Sequence, residues 1–238
     1  MIFFHENAGN IGLRLDWFQL VYTNLGVNIL AVAYRGFSAS EGKPSQEGIL
    51  LDSEAVLEYA RSEDRINNER VFLIGRSLGG AVATHTVAKL TEQKNEWPKG
   101  LILENTFTSV SKMADSLFPF LKLIPNLKNR MLRLDWDSTK RIGNIKMPIL
   151  IVAGSKDALC PLAMSNELFE CAKDSKDKDF FMVENGNHND TYMLAGPAYC
   201  IRLREFMDKC LGEKTNWVQE SNQIMVRQNP MTGVVEIC

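Results

Sequence analysis

The sequence has no apolar run long enough to cross a bilayer, and it opens without the basic segment and small-residue cleavage site of a secretory leader. The chain therefore reads as soluble and intracellular. Its five cysteines, Cys160, Cys171, Cys200, Cys210 and Cys238, are odd in number and form no Cys-x-x-Cys pair, which argues against a disulfide framework and fits a reducing compartment. No charge of one sign is in excess: the net charge is -2 and the basic residues are scattered, so nothing draws the chain to nucleic acid. Gly-x-Gly-x-x-Gly and Gly-x-x-x-x-Gly-Lys are both missing, which leaves nucleotide cofactors without a cradle. His5-Glu6 begins like a His-Glu-x-x-His zinc motif, but position 9 is glycine and the second ligand is lacking. Neither a cofactor nor a metal is expected.

What is present is the make-up of one globular domain: 238 residues, of which 45% are hydrophobic and 24% charged. The chain is organised around Val71-Phe-Leu-Ile-Gly75-Arg76-Ser77-Leu78-Gly79-Gly80, where four apolar residues run into Gly-x-Ser-x-Gly and then into small residues. A strand, a sharp turn and a helix are what a nucleophile elbow needs, with glycines where the turn passes close to its neighbours. The helix expected over 78–90 would aim its free N-terminal amides at the serine.

The rest alternates in the same way. Strands are expected at 1–4, 27–34, 71–74, 100–104, 148–153 and 180–183. Helices are expected at 12–25, stopped by Gly26, at 46–60, capped by Ser45, at 161–172 and at 198–211. Such alternation implies an α/β class with a mostly parallel sheet and helices on both faces. Residues 105–147 do not fit the repeat. Ligands of such sheets collect beyond the C-terminal strand ends, and His5, Ser77, Glu104, Asp157 and His188 all fall just past one.

A serine hydroxyl needs a base within hydrogen-bond reach, and the chain has three histidines. His85 lies eight residues into the elbow helix, away from the strand ends, and reads as structural. His5 opens a loop with a different use. His188 is the candidate base. Its orienting carboxylate is Asp157 or Glu104, with Asp157 preferred because a triad of this kind takes its acid from the strand after the insertion, in the order serine, acid, histidine.

With these parts assembled, the chain resembles the Bem-type branch of the α/β-hydrolase superfamily. The matching stretches are Phe4-His-Glu-Asn-Ala-Gly-Asn10, Tyr34-Arg-Gly36, Gly75-Arg-Ser-Leu-Gly-Gly-Ala81, Glu104-Asn-Thr-Phe107, Asp157 with Pro161, and His188-Asn-Asp-Thr191. The resemblance implies the α/β-hydrolase fold over 1–212, a small helical cap at about 107–147, and a polar tail over 213–238. It implies Ser77, Asp157 and His188 as catalytic residues, and the backbone amides of Leu78 and Asn7 as an oxyanion hole. It further implies a serine hydrolase acting on acyl esters or thioesters, including lipidated proteins that carry palmitate. A peptidase and a catalytically silent binding module are the alternatives.

Two departures bear on these expectations. Family members commonly have glycine where this chain has Glu6, and a carboxylate there would oppose a developing oxyanion. The family also carries an N-terminal membrane anchor and two further strands ahead of residue 1, without which the strand at 27–34 becomes an apolar edge. The apolar run Leu117-Phe-Pro-Phe-Leu121 and Leu123-Ile-Pro125 in the cap would line an acyl-chain pocket, meet a membrane surface, or pack on the sheet.

Overall fold

The computed structural model describes residues 1–118 and 136–213, together with the backbone of 226–228 and 235–237. Its principal strands are β1 (Ile2–Phe4), β2 (Leu30–Val32), β3 (Phe72–Arg76), β4 (Gly100–Glu104), β5 (Ile149–Gly154) and β6 (Lys178–Val183). They pair in the order β2-β1-β3-β4-β5-β6, every neighbour parallel. The helices between them are α1 (Leu15–Leu25), α2 (Gln46–Ser62), α3 (Leu78–Glu92), α4 (Val110–Leu117), α5 (Thr139–Ile142), α6 (Leu162–Cys171), α7 (Thr191–Ala195) and α8 (Pro197–Leu211).

The central strands are buried on both faces, and alternate residues feed two separate cores. Leu73, Leu101, Leu103, Ile149 and Ile151 pack on one side with Ala81 and Val87 of α3. Phe72, Ile74, Ile102, Leu150 and Val152 pack on the other with Trp17 of α1 and Leu203 and Phe206 of α8. Leu73 is completely buried, so Leu73→Ala is expected to cost about 2–5 kcal/mol, read from a denaturant melt.

Local signals set the helix ends. Ser45 Oγ accepts the Gly48 amide at 3.1 Å, the expected N-cap of α2. Gly26 closes α1 at φ 61°, its amide bonded to Tyr22 O. The segment expected as one helix over 12–25 starts instead as a 3-10 turn over Ile11–Arg14.

The expected strand over 27–34 shortens to three residues. Among the described residues β2 has β1 as its only partner, and that ladder runs from Ile2 with Leu30 to Phe4 with Val32, so pairing ends where β1 ends. β2 is the sheet edge, with Leu30 and Ala31 half-buried. The insertion contributes α4, whose N-cap Ser109 accepts the Lys112 amide at 3.1 Å, and α5. Most of its apolar run, from residue 119 onward, lies outside the described residues. In the tail, Val226–Gln228 (β7) and Val235–Ile237 (β8) pair antiparallel, which its polar composition did not signal.

The strand order reverses between β1 and β3. The chain steps outward from β1 to β2, then crosses to β3 on the far side of β1 and proceeds through β4, β5 and β6. Loops leaving the adjacent ends of β1 and β3 therefore diverge and open a crevice there.

Candidate active site

The turn after β3 is forced into its shape by close packing. Ser77 has φ 52° and ψ −116°, a conformation that L residues rarely adopt. A Cβ on Gly75 would lie 2.2 Å from Gly79 O, and one on Gly79 would lie 1.9 Å from Phe4 O. Both positions exclude any side chain, which accounts for the Gly-x-Ser-x-Gly spacing. Thr106 Oγ1 donates to Ser77 O at 2.7 Å, and the Ser77 amide donates to Glu104 O at 3.0 Å, so the elbow is pinned from β4.

His188 lies in the loop between β6 and α7, with its ring spanning two partners. Nε2 is 3.1 Å from Ser77 Oγ and Nδ1 is 2.7 Å from Asp157 Oδ2. The Asp157 side chain is 1% exposed and that of His188 14%. Asp157 Oδ1 accepts the amides of Leu159 and Cys160, each at 2.8 Å, so the carboxylate is held on both oxygens. Sequence reasoning left two acids open. Glu104 instead turns into the sheet floor, where Tyr199 donates to its Oε2 at 2.5 Å; burial holds its carboxyl above the usual range.

The other two histidines lie away from Ser77 Oγ in packed surroundings. His85 is buried in α3 and meets Trp136 edge-on at 5.2 Å. His5 is buried at the end of β1, its ring 4.3 Å from that of Tyr34 and its Nδ1 2.6 Å from Glu6 O. Asn7 is the first exposed residue after β1, and the packing of Gly79 on Phe4 holds the end of that strand against the start of α3. Leu78 is the first residue of α3.

Glu6 does not stand as a free carboxylate. Its Oε2 accepts from Arg14 Nε at 2.7 Å, and its Oε1 lies 3.1 Å from Arg76 Nε, so two guanidinium groups face it.

Two residues that sequence reasoning did not single out hold the base loop. Asn105, at φ 44° after β4, donates from Nδ2 to His188 O at 3.0 Å and Thr191 Oγ1 at 2.7 Å, and accepts the Gly154 amide at 2.9 Å. Arg76 Nη2 donates to the same His188 carbonyl at 2.9 Å. Their signal in the sequence is position alone, since Arg76 is the variable residue of the elbow and Asn105 follows a strand end.

Asp157, Cys160 and His188 offer donor atoms within 4.8 Å of one another. The carboxylate and imidazole are already committed to each other, to two amides and to Ser77. Burial, with Asp157 adjacent, pushes the Cys160 thiol up and so favours its neutral form. The donors of Asp157 and His188 are therefore taken up by one another and by their neighbours.

A parallel sheet with a strained serine after its third strand, a histidine from a later loop in contact with it, and an aspartate in contact with that histidine defines the α/β-hydrolase class. A family model described as serine aminopeptidase, S33, matches residues 21–135. The chain is 36% identical over 223 residues to the Arabidopsis thaliana α/β-hydrolase domain-containing protein WAV2, covering 90% of this chain and 71% of that protein. It is 34% identical over 208 residues to protein bem46 of Schizosaccharomyces pombe, covering 87% of this chain and 66% of that one. It thus spans about two thirds to seven tenths of the length of these relatives. In three dimensions it is similar to the esterase Pf2001 of Pyrococcus furiosus, with a TM-score of 0.70 at 19% identity over 89% of this chain and 82% of that one. The chain belongs to the Bem-type family of α/β-hydrolases.

Among the described residues, no helix is long and apolar enough to cross a membrane.

Proposed function

We propose that the chain is a serine hydrolase that cleaves acyl esters or thioesters through an acyl-enzyme. The observation that carries this reading is the continuous contact from Asp157 through His188 to Ser77, at 2.7 and 3.1 Å. In this mechanism His188 Nε2 takes the Ser77 proton as Oγ attacks the carbonyl carbon, and later returns it to the leaving alcohol or thiol. Asp157 keeps the other ring proton on Nδ1 and stabilises the imidazolium. The amides of Leu78 and Asn7 hold the developing oxyanion. Water, deprotonated by the same histidine, then releases the acid.

Glu6 does not oppose this reading, because its charge is balanced by Arg14 and Arg76. The fold's likeness to an esterase supports an ester substrate, and an acyl chain on a protein cysteine is the thioester form of the same chemistry. A lipidated protein at a membrane surface is the partner that such a thioester would supply. The description of the matching family model favours a second reading, cleavage of an N-terminal peptide bond.

The experiment is labelling of the full chain with a fluorophosphonate probe, followed by turnover of matched p-nitrophenyl esters, acyl thioesters and aminoacyl anilides. Labelling with preference for ester and thioester supports the first reading, and preference for anilides supports the second. A folded wild-type chain that takes up no probe overturns both.

Asp157→Asn tests the orienting acid. Asparagine retains an oxygen for the two amides but turns an N–H toward Nδ1, which forces the wrong tautomer on His188. Turnover is expected to fall by about 10²–10⁴-fold with the fold intact, measured as kcat on a p-nitrophenyl ester.

A further inference from the structure

Beneath the candidate site lies a buried charge cluster that the reaction described above does not use. Arg76, whose side chain is 5% exposed, sits between two carboxylates that are as deeply buried. Its Nε is 3.1 Å from Glu6 Oε1 and 3.7 Å from Glu104 Oε1. Its Nη2 donates to the backbone carbonyl of His188, and its guanidinium carbon lies 5.7 Å from the centre of the Tyr192 ring. The cluster continues outward on both sides. Glu6 reaches Arg14, while Glu104 accepts from Tyr199, whose hydroxyl accepts from Trp17 Nε1 at 3.0 Å.

We propose that Arg76 is a positioning residue that couples the loop carrying Asn7 to the loop carrying His188. This rests on the serine-hydrolase reading and assigns its geometry to one side chain. Arg76 immediately precedes Ser77, so its backbone is fixed by the elbow. From there its Nε side attracts the carboxylate of Glu6, the residue before Asn7, and its Nη2 donates to the carbonyl of the base. The three parts that must meet at the reacting carbon, nucleophile, base and oxyanion donors, are thereby referred to a single guanidinium.

Stability alone is a poor account of the cluster. Desolvating a cation and two carboxylates costs about as much as their attraction returns, and an apolar filling of equal volume would hold the sheet as well. What an apolar filling cannot supply is a hydrogen bond to the base loop from the same group that attracts the Glu6 carboxylate. Guanidinium suits this task because its planar fork presents several donors in fixed directions, whereas an ammonium is a single point charge. Asn105 shares the work on one side only, since its bonds reach the base loop and Gly154.

The test compares the full wild-type chain with Arg76→Lys, Glu6→Gln and Ser77→Ala. Fluorophosphonate labelling rate, kcat and KM on p-nitrophenyl acetate, thermal unfolding, and the low-field proton resonance of the His188–Asp157 hydrogen bond are measured for each. Arg76→Lys keeps a buried positive charge and so avoids stranding two carboxylates. Its expected result is a folded chain with kcat about 10–100-fold lower, KM within about 3-fold, labelling slowed to match, and a displaced low-field resonance. Glu6→Gln removes the charge that faces Arg76 and Arg14 but leaves the bond from Arg76 to the base loop, and should lower kcat severalfold while leaving that resonance in place.

Folded Arg76→Lys with wild-type kcat and labelling overturns the proposal. Should Arg76→Lys fail to fold, Glu6→Gln decides: a wild-type kcat overturns the coupling, and a lowered kcat with an unmoved resonance supports it. Failure of the wild type to label, or labelling of Ser77→Ala, overturns the hydrolase reading itself and the proposal with it. A labelled wild type beside an unaffected Arg76 variant overturns the proposal alone.

Discussion

Ser77→Ala is expected to abolish probe labelling and to lower ester turnover by at least about 10³-fold, while changing stability by no more than about 1 kcal/mol. The asymmetry follows from what the side chain does. Only the hydroxyl faces His188 Nε2, and its removal takes away the atom that forms the acyl bond. The strained backbone at φ 52° is imposed by the neighbouring glycines and by the bond from Thr106 to Ser77 O, none of which involves Oγ. Alanine at this position therefore inherits the same turn at the same cost. The residual rate reflects whatever the amides and binding contribute without a nucleophile. Turnover within tenfold of wild type in a variant shown by mass to be homogeneous would place the nucleophile elsewhere.

Gly79→Ala should be more damaging to the molecule than loss of the nucleophile, although it adds one methyl group and touches no reacting atom. The new Cβ would lie 1.9 Å from Phe4 O, 2.4 Å from Phe4 C and 2.9 Å from His5 O. These are backbone atoms at the end of a strand paired on both sides, with β2 and with β3, so they have no rotamer with which to yield. Either β1 or the start of α3 must move by more than an ångström. The expected cost is about 3 kcal/mol or more, a fall of about 6–12 °C in Tm for a chain of this size.

Activity should fall with it even where the variant folds, because the loop bearing Asn7 leaves the displaced end of β1. Gly26→Ala is the control. Gly26 has φ 61° but nothing within 4 Å of its Cβ position, so the penalty there is the strained φ alone, about 1 kcal/mol. Equal melting temperatures for the two variants would mean that the contact with Phe4 is not tight.

The comparison between what the sequence signalled and what the structure holds turns on distance along the chain. Short-range features were legible. The apolar run before Gly75 and the small residues after Ser77 specify strand, turn and helix through contacts a few residues apart. Ser45 capped α2 and Gly26 closed α1 for the same reason, since a cap needs only its own first or last turn. Alternation of such units implied the parallel sheet, and the rule that polar residues collect past strand ends drew attention to His188, Asp157 and Ser77 before any distance was known.

Features that depend on which strand lies beside which were not legible. The expected eight-residue edge strand became Leu30–Val32, because its length is limited by its single neighbour β1. Glu104 and Asp157 both follow strands, and the pattern preferred Asp157 without excluding Glu104. Glu104 turns into the floor against Tyr199, and Asp157 meets the ring of His188, through contacts 95 and 31 residues apart. Glu6 read as a liability because its two counter-charges come from the elbow and from a turn after it, neither of which its own loop announces. The sequence by itself therefore determined the elements and the chemical groups available at their ends. Only the tertiary structure decided how those groups are partnered, because a buried charge or hydrogen bond is satisfied by whatever the sheet order brings alongside it.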